Sequence, residues 1–217
     1  MICIKDKIKN INLVIGCNIG CKYCYARMNN NSFHTTSNFN IPEYFESKLK
    51  MLDSKRSNVY FITPASDLSG WKEEWISEVF QKMEENKDTS YIFLTKRPDL
   101  IKIDSTPNNG WFGVTVTSKS ELHKIKELKE NIKSNNYHVT FEPLFDDVGE
   151  VDLEGIKWVI IGTETGSRKN KAVTKIEWIN NILKSSQKYN IPVFMKEDLY
   201  KVIDEKYIIQ EFPKEFL

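Results

Sequence analysis

Short apolar runs alternate along the chain with longer stretches in which apolar side chains recur every three or four residues. Residues 11–16, 59–62, 91–94, 111–116, 138–141, 158–161 and 192–195 are nearly continuous in apolar or β-branched side chains. Most end in a polar break. Runs of this length read as strands covered on both faces. Between them, Phe45, Leu49 and Leu52 recur at helical spacing, as do Trp71, Trp75, Val79 and Met83. Leu122, Ile125, Leu128 and Ile132 form another stripe, and Ile176, Ile179 and Leu183 a fourth. Each predicts an amphipathic helix. Pro42 suits a first helical turn, and Ser118-x-x-Glu121 and Thr174-x-x-Glu177 read as capping boxes.

Strands alternating with helices predict a parallel sheet with helical crossovers. Six or seven units in 217 residues are too few for an eightfold barrel of ordinary size. The expectation is an α/β fold, a partial (β/α)6–7 barrel in one domain over residues 1–217. Its core runs from about 11 to 196, followed by a tail from 197 to 217. In such folds chemistry gathers at the C-terminal strand ends. Polar residues fall there: Cys17, Ser66, Asp67, Lys96, Arg97, Thr115, Thr117, Glu142, Glu164 and Lys196.

Charge narrows the partners. With 31 basic and 30 acidic residues the net charge is +1, which argues against a surface dedicated to nucleic-acid phosphates. Lys124, Lys126 and Lys129 alternate with Glu121, Glu127 and Glu130, as on a solvated helix. No apolar run approaches a membrane span, and the start of the chain lacks the apolar region of a secretory signal. A cytoplasmic protein is expected.

All four cysteines lie in the first 24 residues, and Cys17, Cys21 and Cys24 are spaced C-x₃-C-x₂-C. In a reducing compartment such a trio reads as metal-binding or redox. With His34 it could form a Cys₃His zinc site. A ferredoxin-type cluster would need a fourth thiolate; Cys3 reads instead as a small residue in a short N-terminal strand. Three thiolates could also hold a [4Fe–4S] cluster with one iron open.

The last pattern, with Tyr23 just before Cys24, resembles the signature of the radical S-adenosylmethionine (SAM) enzymes. The resemblance in strand–helix order covers residues 11 to about 196. It implies that Cys17, Cys21 and Cys24 ligate the cluster and that SAM binds the open iron. It further implies a 5′-deoxyadenosyl radical that removes a hydrogen atom from substrate, fed by an external donor such as flavodoxin or ferredoxin. Tyr23 maps onto the family position near the adenine. Ser66 or Asp67 replaces the usual acidic, glycine-rich motif as holder of the SAM amino group. Thr115 and Thr117 fall at ribose-contacting positions, and Gly162 where backbone approaches the adenine.

Within that superfamily the chain resembles a small branch that includes queuine lyase and phage-associated proteins. The shared phrases are Cys24-Tyr25-Ala26, Ser66-Asp67-Leu68, Leu94 to Pro98, Phe141-Glu142-Pro143-Leu144 and Ile161 to Gly166. The resemblance implies a lyase that cleaves the base queuine to 7-aminomethyl-7-deazaguanine for queuosine salvage. Radical SAM chemistry on another substrate is the alternative, in nucleic-acid repair or peptide modification; a zinc-stabilised binding module is a third. A carboxylate can accept both the N1–H and the exocyclic amine of a deazaguanine, which nominates Asp67, Glu142 and Glu164. Thr95, Lys96 and Lys196 are the expected partners of the cyclopentenediol. Trp71 and Trp75 read as packing residues, His123 as solvated, and His138 as satisfied by neighbouring backbone.

Overall fold

The computed structural model describes residues 3–53, 58–165 and 168–217; Gly166, the last residue of one motif above, lies outside them. Seven strands form one wholly parallel sheet. In chain order the strands are β1 (Ile8–Asn10), β2 (Val14–Ile15), β3 (Glu43–Tyr44), β4 (Val59–Phe61), β5 (Ser90–Thr95), β6 (Gly110–Thr115), β7 (Tyr137–Phe141), β8 (Ile156–Ile161) and β9 (Val193–Met195). The large sheet runs β1-β4-β5-β6-β7-β8-β9, and β2 and β3 pair separately. The large sheet curls into a half-barrel, so the partial-barrel expectation holds at that level. The longer helices are α2 (Tyr25–Phe33), α3 (Glu73–Glu85), α4 (His123–Asn131) and α5 (Ile176–Lys188), after a single turn α1 (Ile4–Lys7). No helix among the described residues is long and apolar enough to cross a membrane.

The sheet is buried on both faces because its strands alternate two apolar sets. On the convex side Phe93, Phe112, Val114, Val139, Phe141 and Val159 share a core with Val79 and Met83 of α3, Leu128 of α4 and Ile182 of α5. Phe93 and Phe112 stack at 4.9 Å between ring centroids. On the concave side Ile8, Val59, Ile92, Trp111, Trp158, Ile160 and Phe194 form a second cluster, joined by Phe216 from the chain end.

Several expectations are corrected. The strand predicted over 11–16 is two elements. Residues 8–10 begin the half-barrel, in register Ile8↔Val59 to Asn10↔Phe61. Val14 and Ile15 leave it for an antiparallel pairing with Tyr44 and Glu43. The Pro42 helix is this short β3 followed by a 3₁₀ helix, Glu46–Leu52. Neither capping box forms. Glu121 instead accepts the amide (2.7 Å) and hydroxyl (2.8 Å) of Thr117. The Thr174 hydroxyl donates to the Leu144 carbonyl, and Lys175 precedes α5 without a side-chain cap. Cys3 precedes the helical turn α1 rather than lying in a strand, and its thiol faces a Glu197 carboxylate oxygen at 3.1 Å.

The tail is part of the core. The Met195 amide donates to Ile209 (2.7 Å) and the Glu211 amide to Val193 (2.9 Å), so residues 209–211 line the edge strand β9. The indole of Trp158 donates to the Glu211 carbonyl. Phe216 packs edge-on against Trp111 at 4.8 Å and Trp158 at 5.4 Å. Aromatic side chains thus plug the lower part of the half-barrel and leave its C-terminal mouth to polar groups.

Candidate active site

The mouth opens into a cavity of about 470 Å³, within the range of small-molecule and cofactor sites. The cysteine loop forms one wall. Gly16 bridges Ser66 in parallel, which starts the loop beside the end of β4. The Cys17 amide donates to the Phe39 carbonyl at 2.7 Å, and Arg27 donates to the Cys17 carbonyl at 2.8 Å while its guanidinium lies 5.0 Å from the Phe39 ring centroid. Cys24 caps α2, its sulfur accepting the Arg27 amide at 3.4 Å. These bonds determine the loop's path. All three cysteines are free and half-buried, and all line the cavity.

Burial pushes the Cys17 thiol up to about 11 and raises Cys21, although Lys96 nearby opposes the rise at Cys21. Such thiols are poor nucleophiles near neutral pH; bound metal would favour their thiolates. Among the described residues no three His, Cys, Asp or Glu side chains are grouped to hold a metal ion. His34 lies exposed beyond the C-terminal end of α2, a nine-residue helix roughly 13 Å long from Cys24 at its N-cap. The Cys₃His zinc arrangement therefore does not fit. A cluster places each thiolate on a different iron and needs no common point between them. The cysteine trio, free and facing one cavity, fits that demand.

The predicted polar residues divide into three sets. Tyr23, Ser66, Asp67, Lys96, Thr115, Glu142, Glu164 and Lys196 all line the cavity. Tyr23 packs edge-on against Phe145 at 5.4 Å; burial raises its phenol far above the usual range. Lys96 Nζ donates to Thr115 Oγ1 at 3.0 Å and lies 5.5 Å from the Tyr23 ring centroid. Ser66 Oγ accepts the Trp71 indole N–H at 3.0 Å.

Two lining carboxylates are committed to protein partners. Asp67 accepts the Ser69 amide (3.0 Å) and hydroxyl (2.8 Å), the Thr95 hydroxyl (2.6 Å) and the Lys96 amide (2.8 Å). It ties the loop after β4 to the loop after β5, so the carboxylate expected to meet SAM or the base already carries four protein hydrogen bonds. Glu164 is held by the Arg168 guanidinium through both oxygens and also accepts the Ala172 amide at 3.1 Å. The Arg168 hydrogen bonds hold its carboxyl below the usual range. It closes the loop after β8 rather than presenting a free edge.

Three predicted residues are not among those lining the cavity. Thr95 is buried, its hydroxyl donating a hydrogen bond to Asp67 and accepting the Arg97 amide at 3.0 Å. Thr117 is spent on Glu121. Gly162 lies against Glu142: a Cβ there would stand 2.9 Å from the Glu142 carboxyl carbon. Its missing side chain makes room for that carboxylate.

Glu142 and Lys196 form an ion pair across the mouth. Burial pulls the Lys196 ammonium down, but Glu142 beside it outweighs this and raises the pKa to about 12. Asp198 adds a second carboxyl, pushed up to about 6 by burial against the pull of Lys196. Sequence reasoning missed Asp198, and also Tyr25, whose hydroxyl donates to the Pro64 carbonyl. It also missed Thr140 and assigned His138 only a structural part; both line the cavity. Their alternation with Glu142 along one strand was the available signal.

The fold and site define a half-barrel α/β protein with a cysteine-walled cavity at its strand ends. The chain belongs to the family described as DUF5131, protein of unknown function, which matches residues 4–203. No curated protein and no solved structure matches it.

Proposed function

We propose that this chain is a radical SAM lyase that cleaves queuine and releases 7-aminomethyl-7-deazaguanine. One observation carries the reading: three half-buried cysteines of a single loop share a cavity with the Glu142–Lys196 pair. When bound at Cys17, Cys21 and Cys24, a [4Fe–4S] cluster with SAM supplies the one-electron chemistry that removes a hydrogen atom from an unactivated carbon. Tyr23, Ser66 and Thr115 line the adjoining wall and offer an aromatic edge and two hydroxyls to the SAM adenosine and amino acid. Lys96 stands between that wall and the β5 end, its charge near Cys21.

Glu142 is the carboxylate best suited to the base. Its counterion Lys196 leaves acceptor capacity, whereas Asp67 and Glu164 spend theirs on amides, hydroxyls and Arg168. A planar donor pair such as N1–H and an exocyclic amine matches a carboxylate edge.

The test is anaerobic reconstitution with iron and sulfide, then incubation of the reduced protein with SAM and queuine. The expected result is a brown protein with about four iron per chain that yields 7-aminomethyl-7-deazaguanine, with Cys21→Ala devoid of both. A colourless, zinc-loaded protein would sink the enzyme reading. Formation of 5′-deoxyadenosine without the base product would sink the choice of substrate.

A further inference from the structure

His138, Thr140 and Glu142 occupy every second position along β7 and just beyond it, so all three face the cavity. Glu142 sits at the mouth. The two below it share the cavity wall with Ile92, Leu94, Trp158 and Ile160. His138 is 1% exposed and Thr140 5%. The His138 Nε2 lies 3.0 Å from the Phe93 carbonyl. A carbonyl only accepts, so Nε2 carries the proton and Nδ1 presents a bare lone pair. Burial lowers the pKa of the ring to about 4, so it is neutral near pH 7. Gly113 gives the ring its place: a Cβ there would lie 2.1 Å from Cε1. Among the described residues neither His138 Nδ1 nor Thr140 Oγ1 has a hydrogen-bond partner. A buried, unpartnered acceptor and hydroxyl cost stability, which a ligand supplying the missing bonds would recover.

We propose that His138 Nδ1 and Thr140 Oγ1 form a hydroxyl-reading subsite below the mouth, taking the hydroxylated ring of the substrate while Glu142 holds its base. This deepens the queuine reading and rests on it. It replaces Thr95, whose hydroxyl is already spent on Asp67 and Arg97, as the partner of the diol. The acceptor Nδ1 takes a hydroxyl proton; the Thr140 hydroxyl can donate or accept. The neighbouring Ile92, Trp158 and Ile160 side chains give a ligand hydroxyl no acceptor, so the pair discriminates for a diol rather than merely tolerating one.

The test is equilibrium titration of the reconstituted holoprotein with queuine and, separately, with 7-aminomethyl-7-deazaguanine, which lacks the diol. Thr140→Val conserves volume and removes a hydroxyl with no partner among the described residues. It should weaken queuine binding by about tenfold, leave the diol-free base unchanged, and hold or raise the Tm. His138→Phe should show the same selectivity among ligands. Equal affinity of wild type and Thr140→Val for queuine overturns the subsite and leaves the substrate reading standing. So does a parallel loss for both ligands, or a lowered Tm, which would reveal a structural partner for the hydroxyl. Wild-type protein that binds neither ligand overturns both ideas.

Discussion

Asp67 and Glu142 stand on opposite sides of one mouth, each just past a strand end, yet they are used in opposite ways. Asp67 is saturated. Four protein donors surround it, two of them backbone amides, so it builds the loops that carry Ser66 and Lys96. Glu142 is paired with one side chain among the described residues, the Lys196 ammonium, and Gly162 behind it is cleared of a side chain. A carboxylate held by amides is architecture, because the chain cannot withdraw its own backbone donors. A carboxylate facing one lysine keeps lone pairs for a ligand. The type of residue at a strand end therefore says less than the donors its neighbouring loops bring to it.

Breaking the Asp67 side should have the largest effect. Asp67→Ala orphans the amides of Ser69 and Lys96 and the hydroxyl of Thr95, and should lower unfolding free energy by roughly 3 kcal/mol, read by chemical denaturation. A loss below about 1 kcal/mol would show that the loops hold without it. On the other side, Glu142→Gln should reverse the balance. Stability falls by only about 1–2 kcal/mol, since half-buried Lys196 keeps Asp198 nearby. Affinity for the diol-free base falls at least about tenfold. If both variants lose stability equally and Glu142→Gln retains the base, the contrast between the two carboxylates disappears.

The smallest effect concerns Asp198. Its folded-state pKa is raised from 3.8 to about 6, so between those values the folded chain holds a proton that the unfolded chain releases. Stability from this group is present below pH 3.8 and is lost as pH rises through about 6. Asp198→Asn should raise the Tm by a few degrees at pH 8 and flatten the profile across that window. An unchanged slope would mean that burial does not raise the Asp198 carboxyl.

Much of the fold was legible because buried parallel strands write themselves as continuous apolar runs. Residues 59–62, 91–94, 111–116, 138–141, 158–161 and 192–195 each contain or overlap a strand. The failure at 11–16 has a physical cause. Ile11, Leu13 and Val14 are buried in the main core and Ile15 in a separate cluster with Ala26 and Phe39, and apolar content cannot tell one sheet from two. The tail was misjudged because Ile209, Phe212 and Phe216 are spread among charged residues without a period. On α4, Lys126 and Glu130 form the exposed pair that the alternation predicts, whereas Lys124 pairs with the part-buried Glu121 just before the helix.

The candidate site was legible as a collection of residue types. Cys17, Cys21 and Cys24 were visible from spacing alone, because a loop of eight residues keeps its members together whatever the fold. So was their neighbourhood, since strand ends of a parallel sheet all open on one side. Sequence could not say how each hydrogen-bonding group is spent. Thr95, Thr117, Asp67 and Glu164 all have the chemistry of ligands, and their partners range from four residues along the chain, Glu121 for Thr117 and Arg168 for Glu164, to the next strand end, Thr95 and Lys96 for Asp67. Only the tertiary structure decided that these four are engaged, that Glu142 faces a cleared position at Gly162, and that His138 and Thr140 point unpartnered into the wall. Spacing along a strand determines which face a side chain takes; what already stands on that face is decided by long-range contact.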